Sequence, residues 1–189
     1  MAVKIKKIIE VINRGEVIVC PTDTVYGLIA DATNDKAVEK VFKIKKRPKN
    51  KAIPIFVEDV KTAKKFAFIN EKQEKFLKKN WPGKITVILK RKPSCGLSKE
   101  LFGRKKTIGL RIPNHKLINE LLKRLNKSLT GTSANISGKL ASTKIEEVLK
   151  QFKEQKDQPD LIIDVGNLKK SRPSRVIDLT KNKQKILRI

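Results

Sequence analysis

Apolar residues change their spacing repeatedly along this chain, and that alternation restricts the fold more than any other feature. Ile5, Ile8, Ile9 and Ile12 recur at helical spacing, and Gly15 closes that helix. The run 16–20 is too short and too apolar for a helix and reads as a buried strand. Asn34-Asp35 can cap a second helix, with Ala37, Val38, Val41 and Phe42 inward and an end before Arg47-Pro48. Residues 52–57 read as a strand whose internal Pro54 places it at an edge or a bulge. Short lysine-rich helices follow near 60–67 and 71–79, then a Trp81-Pro82-Gly83 turn and a β-branched strand at 85–89. After a loop at 92–104 come a strand at 107–112, a helix to about Leu125 and a helix at 145–153. Short strands at 161–165, 175–179 and 186–189 complete the chain. Mixed strands and helices of this kind define an α/β or α+β protein on a mixed sheet, with residues 1–189 as one domain.

The chain has 189 residues, 39% hydrophobic and 34% charged, which suits a globular protein with a substantial core. No apolar run approaches the length of a bilayer crossing. The start, MAVKIKKIIEVINRG, interleaves lysine with apolar residues and lacks a small-residue cleavage site, so no export signal is expected. Two cysteines, Cys20 and Cys95, have no metal-ligand spacing; Cys20 reads as a small buried residue. The expected location is the cytoplasm. The formal net charge of +26 points towards polyanions, with ATP and tRNA as candidates. Of the 45 cations 36 are lysines, spread over every exposed helical face, so a solvated basic surface explains much of that charge.

Four polar segments stand at strand ends or turns, where sites are built. They are PTDTVYG at 21–27, KIKKRPKNK at 43–51, KKTIGLRIP at 105–113 and TGTSANISG at 130–138. Each has a plain structural use. Proline and threonine make turns, and lysine suits a helix C-terminus. Arg111 alternates with Thr107 and Gly109 on a strand face that can meet water, and Gly, Ser and Asn make loops. Taken together, hydroxyls, small residues with free N–H groups and cations suit phosphate and carboxylate oxygens. The chain carries no phosphate-binding glycine signature and one histidine, His115, at a helix start, which argues against Ser–His–Asp chemistry. The set fits a nucleotide bound beside an amino acid or other small acid, with catalysis by positioning and charge neutralisation.

PTDTVYGL at 21–28, KxRP at 45–48, WPG with TVIL at 81–89, LRIP at 110–113, SANISG at 133–138 and SRVIDL at 174–179 occur in that order. In these motifs the chain resembles the YrdC-like family of threonylcarbamoyl-AMP synthases in its short, single-domain form. The resemblance runs from about residue 5 to residue 189. It implies an α/β domain with a twisted mixed sheet, flanking helices and a basic concave cavity. It also implies a nucleotidyltransferase that converts L-threonine, bicarbonate and ATP to threonylcarbamoyl-AMP, pyrophosphate and water. Mg²⁺ would come with ATP and take no protein ligand. Other proteins would then transfer the threonylcarbamoyl group to tRNA.

By that resemblance Lys45 and Arg47 would line the junction of the two substrates. Thr24, Arg111, Gly131 and Ser174 would contact threonine, with Arg111 on its carboxylate. Arg47, Lys51, Thr107, Ser133, Ala141 (through its backbone) and Arg188 would contact ATP. Two positions depart from the pattern. Phe56 stands where some members carry a polar threonine contact, and Lys84 where many carry proline. The rival reading is a non-catalytic module of the same fold that uses the basic cavity for tRNA or double-stranded RNA. The cations favour it, whereas the hydroxyl-rich PTDT and SANISG segments do not, because backbone phosphates need only cations. A carbamoyl-transfer domain is a third, weaker reading.

Overall fold

The computed structural model describes residues 5–181 and 183–189; the leading MAVK, part of the stretch expected to be no export signal, lies outside them. Helix α1 (Ile5–Asn13) buries Ile8, Val11 and Ile12, the apolar face anticipated from their spacing. It ends at Gly15, whose φ of 78° only glycine adopts freely. Strands β1 (Ile18–Cys20) and β2 (Gly27–Ile29) form an antiparallel pair joined by the PTDTVY turn. Helix α2 (Asp35–Ile44) starts where the Asn34 side chain accepts from the Ala37 N–H, and it buries Ala37, Val38, Val41 and Phe42.

Strand β3 (Ile55–Phe56) is followed by α3 (Val60–Phe66), capped by Asp59, and by β4 (Ala67–Phe68). Helix α4 (Glu71–Asn80) opens on a reciprocal capping box between Asn70 and Gln73. Strand β5 (Ile85–Arg91), a 3₁₀ turn at Lys99–Leu101 and β6 (Thr107–Arg111) come next. Helix α5 (Lys116–Leu125) stops at left-handed Asn126. Then follow β7 (Leu129–Thr130), β8 (Thr132–Ser133), α6 (Ile145–Phe152), β9 (Leu161–Ile162), β10 (Arg175–Asp178) and β11 (Lys185–Arg188).

The strands form two sheets. One has four strands in the order β8-β2-β1-β9, and the other has seven, in the order β11-β10-β5-β6-β3-β7 with β4 added to β5. Both are mixed: β1 with β9, β5 with β10 and β3 with β6 run parallel, and the other pairs antiparallel. Strand β3 corrects one expectation. It lies between β6 and β7, not at an edge, because its paired residues begin after Pro54. The proline therefore removes no donor from the ladder, while its carbonyl accepts from the Gly131 N–H at 2.8 Å. Strand β4 was not anticipated; it has two residues, and Phe68 is half exposed.

Two apolar clusters hold the sheets. In one, α1 and α5 pack together through Ile8, Val11, Ile12, Ile118, Leu121 and Leu122, with Ile18 and Ile29 beneath. The other gathers the inner faces of α2 and α6 with Val87, Leu89, Ile108 and Leu110 of the central strands. Gly131 is the single residue between β7 in the larger sheet and β8 in the smaller. The crossing is held at fully buried Thr130, whose N–H donates to Ala30 O at 2.9 Å. Its hydroxyl accepts from the Ala30 N–H at 2.9 Å and donates to Leu28 O at 3.0 Å, so a side chain completes backbone pairing that two strands cannot.

Replacing that hydroxyl with a methyl leaves the buried Ala30 N–H unpaired and removes one of the bonds to Leu28 O. Thr130→Val is expected to cost about 1–3 kcal/mol. Urea unfolding should show a lower midpoint at an unchanged slope.

Candidate functional site

Between the sheets lies a cavity of about 450 Å³, within the range of small-molecule sites. Its inner wall is made by the PTDTVY turn. The Thr22 hydroxyl accepts from the Thr24 N–H at 3.1 Å and donates to Val25 O at 2.7 Å, so Thr22 shapes the turn. Thr24 Oγ1, 3.1 Å from Thr22 Oγ1, is left facing β6. Tyr26 is fully buried and its phenol donates to Gly166 O at 2.6 Å, pinning the segment after β9 beside the cavity.

Arg111, at the end of β6, is the counterpart of that turn. Its face does not meet water: the residue is 3% exposed. Nε donates to Gly83 O at 2.9 Å and Nη2 to Asp23 Oδ1 at 2.6 Å, while Nη1 lies 3.5 Å from Thr24 Oγ1. The Phe56 ring sits 5.6 Å from the guanidinium carbon, so this departure from the family pattern becomes an aromatic face against a cation. Burial lowers the Arg111 pKa and Asp23 opposes the shift; the guanidinium keeps its charge. Asp23 lies within the PTDTVYG segment but was assigned no role from sequence. Its second oxygen accepts from the Asn114 N–H at 3.0 Å. One signal was available: an arginine inside an apolar strand needs an anion, and Asp23 is the one carboxylate in the four polar segments.

Lys45 follows α2 and is 1% exposed. Its ammonium donates to Ser133 O, to Asn135 O at 2.9 Å and to Asn135 Oδ1 at 3.1 Å, which engages all three N–H groups. The Ser133 hydroxyl donates to the same Asn135 Oδ1 at 2.6 Å, and Asn135 Nδ2 donates to Ile136 O and Lys139 O. Asn135, not singled out from sequence, is therefore the hub of the SANISG loop. Arg47 Nε and Nη2 donate to Lys51 O at 3.0 Å and Ala52 O at 2.9 Å, which fixes the path of 51–52 along the cavity.

Arg188, in β11, is held in place: Nε and Nη2 both donate to Ser174 O, at 2.9 and 2.7 Å. Ser174 Oγ lies 2.8 Å from Thr86 Oγ1. Gly131 faces Phe56 so closely that a Cβ there would sit 2.7 Å from the ring, which makes glycine obligatory beside this aromatic.

Of the residues proposed from sequence, Thr24, Lys45, Arg47, Lys51, Arg111, Gly131, Ser133, Ser174 and Arg188 line this one cavity. Thr107 and Ala141 are not among the lining residues. Lys105 is, and sequence reading had not selected it. The lining thus carries six cations, Lys45, Arg47, Lys51, Lys105, Arg111 and Arg188, and, among the described residues, no carboxylate. Among the described residues there is also no cluster of three or more His, Cys, Asp or Glu able to hold a metal. Such a cavity suits a polyanion.

A family model, Sua5/YciO/YrdC, described as "Telomere recombination", matches residues 10–189. A Methanocaldococcus jannaschii relative is 40% identical over 182 residues, covering 94% of this chain and 83% of its own. The Bacillus subtilis threonylcarbamoyl-AMP synthase is 35% identical over 138 residues, or 72% of this chain and 40% of that enzyme. The crystal structure of Pyrococcus abyssi Sua5 complexed with L-threonine superimposes with a TM-score of 0.88 at 31% identity, over 97% of this chain and 53% of that one. The chain thus spans about half or less of these last two proteins. Among the described residues, no helix is long and apolar enough to cross a membrane.

Burial, with a smaller push from Arg47, lowers the Lys45 ammonium from 10.5 to about 7. Between those values the unfolded chain binds a proton that the folded one does not, so stability rises with pH across that window. The stability difference between the wild type and Lys45→Met should therefore shift in favour of the wild type from about pH 6.5 to about pH 9.5. Urea unfolding at both values checks this, and a pH-independent difference would contradict it.

Proposed function

The chain belongs to the Sua5/YciO/YrdC family, and on that premise we propose that it is a threonylcarbamoyl-AMP synthase. It converts L-threonine, bicarbonate and ATP to threonylcarbamoyl-AMP, pyrophosphate and water, and its product serves tRNA modification. Residues 1–189 act as one domain in the cytoplasm. The observation that carries the reading is the pairing of a carboxylate-sized end, Arg111 with Thr24, with a wall of further cations in one cavity free of acidic lining.

The adenylation step brings an anionic carbamate against the anionic phosphates of ATP, so its barrier is largely repulsion between like charges. Threonine's amine, once neutral, adds to the carbon of bicarbonate with loss of water, or to CO₂ with loss of a proton, and forms a carbamate. A carbamate oxygen then attacks the α-phosphorus of ATP, and the bond to the pyrophosphate oxygen breaks. Arg111, Thr24, Gly131 and Ser174 hold the amino acid. Arg47, Lys51, Ser133 and Arg188 face the nucleotide, and Thr107 and Ala141 flank that side. Lys45 and Arg47 stand between the substrates; the charge of Lys45 acts from beneath the 133–135 segment that it braces. Fixed cations stabilise the pentacoordinate phosphorus without reorganising, and alignment of carbamate and phosphate contributes entropically. Mg²⁺ would come with ATP, and the described lining, which holds no carboxylate, assigns it no protein ligand.

The direct assay incubates the protein with ATP, Mg²⁺, bicarbonate and labelled threonine and follows pyrophosphate. Release that requires threonine is expected, and its absence would remove the reading. Arg111→Ala removes a charge-assisted contact of about 1.5–3 kcal/mol, which should raise the KM for threonine about ten- to a hundredfold. The KM for ATP should change far less; equal effects on both substrates would count against a carboxylate role.

A further inference from the structure

Arg111 has five N–H donors, and the fold has already assigned several of them. Nε is committed to Gly83 O and Nη2 to Asp23 Oδ1, and one face of the guanidinium is covered by Phe56. Nη1 is the nitrogen left for a ligand, beside Thr24 Oγ1. Asp23 does not line the cavity, so it touches Arg111 and not what Arg111 binds.

We propose that Asp23 is a positioning residue for the amino acid: by holding Nη2 of Arg111 it fixes which part of the guanidinium faces the substrate carboxylate. The inference rests on reading this cavity as a threonine site. Asp23 is suited to the task because it is itself immobilised. Thr22 closes the turn on either side of it, and the Asn114 N–H takes its other oxygen. Both members of the pair are almost fully buried, with side-chain exposures of 4% and 7%. Inside such a pair neither charge is free to swing to a new partner. Without Asp23, Arg111 has an extra free donor and an uncompensated charge, and it can turn away from the geometry that presents Nη1 beside Thr24.

Calorimetric titration of L-threonine and of ATP into the wild type, Asp23→Ala and the isosteric Asp23→Asn tests this, with binding stoichiometry reporting the folded fraction. Asp23→Ala should weaken threonine binding about tenfold at unchanged stoichiometry and leave ATP binding within about twofold. Asp23→Asn, which keeps an acceptor but loses the charge, should fall between. A pair that only braces the fold would lower the melting temperature or the stoichiometry while leaving the threonine affinity of the folded fraction unchanged. That result, or tighter threonine binding in either variant, overturns the proposal. If Asp23→Ala does not fold, Asp23→Asn decides by the same criteria. If the wild type itself binds no threonine, the reading of the cavity falls and this inference with it; if it binds threonine and the variants bind equally well, the inference alone falls.

Discussion

Two cations, Arg111 and Lys45, are buried where the two sheets face each other, and the arrangement of the cavity follows from how each is satisfied. Removing a charge from water costs several kcal/mol after relaxation unless partners surround it. Arg111 extends from a strand of the larger sheet to an aspartate in a turn of the smaller one. Lys45, at the end of a helix, reaches the carbonyls of the segment that follows the smaller sheet's outer strand. The first pairing ties one sheet to the other, and the second ties a helix end to residues 133–135. The charge needed for chemistry therefore also links the parts that enclose it.

The hydroxyl groups show a similar double use. Thr22 and Thr130 spend theirs on backbone groups that short strands leave unpaired, and Ser133 spends its on Asn135. Strands of two or three residues cannot satisfy their own termini, so side chains complete the pairing. A polar segment at a strand end is for this reason a poor guide to which of its atoms faces a ligand. In PTDT, Thr24 faces the cavity while Thr22 shapes the loop behind it.

The helices were legible because each carries its evidence locally. The spacing of Ile5, Ile8 and Ile12, and Asn34 before α2, are complete within a few residues. Boundaries slipped where a partner distant in sequence decides them. Residues 52–57 read as one edge strand, yet only Ile55 and Phe56 pair, and they pair on both sides. Most site residues proposed from sequence lie together on the cavity wall, whereas Asp23, Asn135 and Lys105 were passed over although they sit inside the quoted polar segments. Their roles depend on contacts with, or proximity to, chain segments that spacing does not connect. Thr107 and Ala141 illustrate the converse: an ATP-contact position assigned by resemblance did not bring them to the lining.

The close approach of Gly131 to the Phe56 ring has an evolutionary consequence. A side chain at 131 would collide with the aromatic at 56, and removing the aromatic would uncover one face of Arg111. The steric constraint runs one way: a side chain at 131 demands a smaller residue at 56, whereas a smaller residue at 56 leaves Gly131 in place and widens the amino-acid end of the cavity.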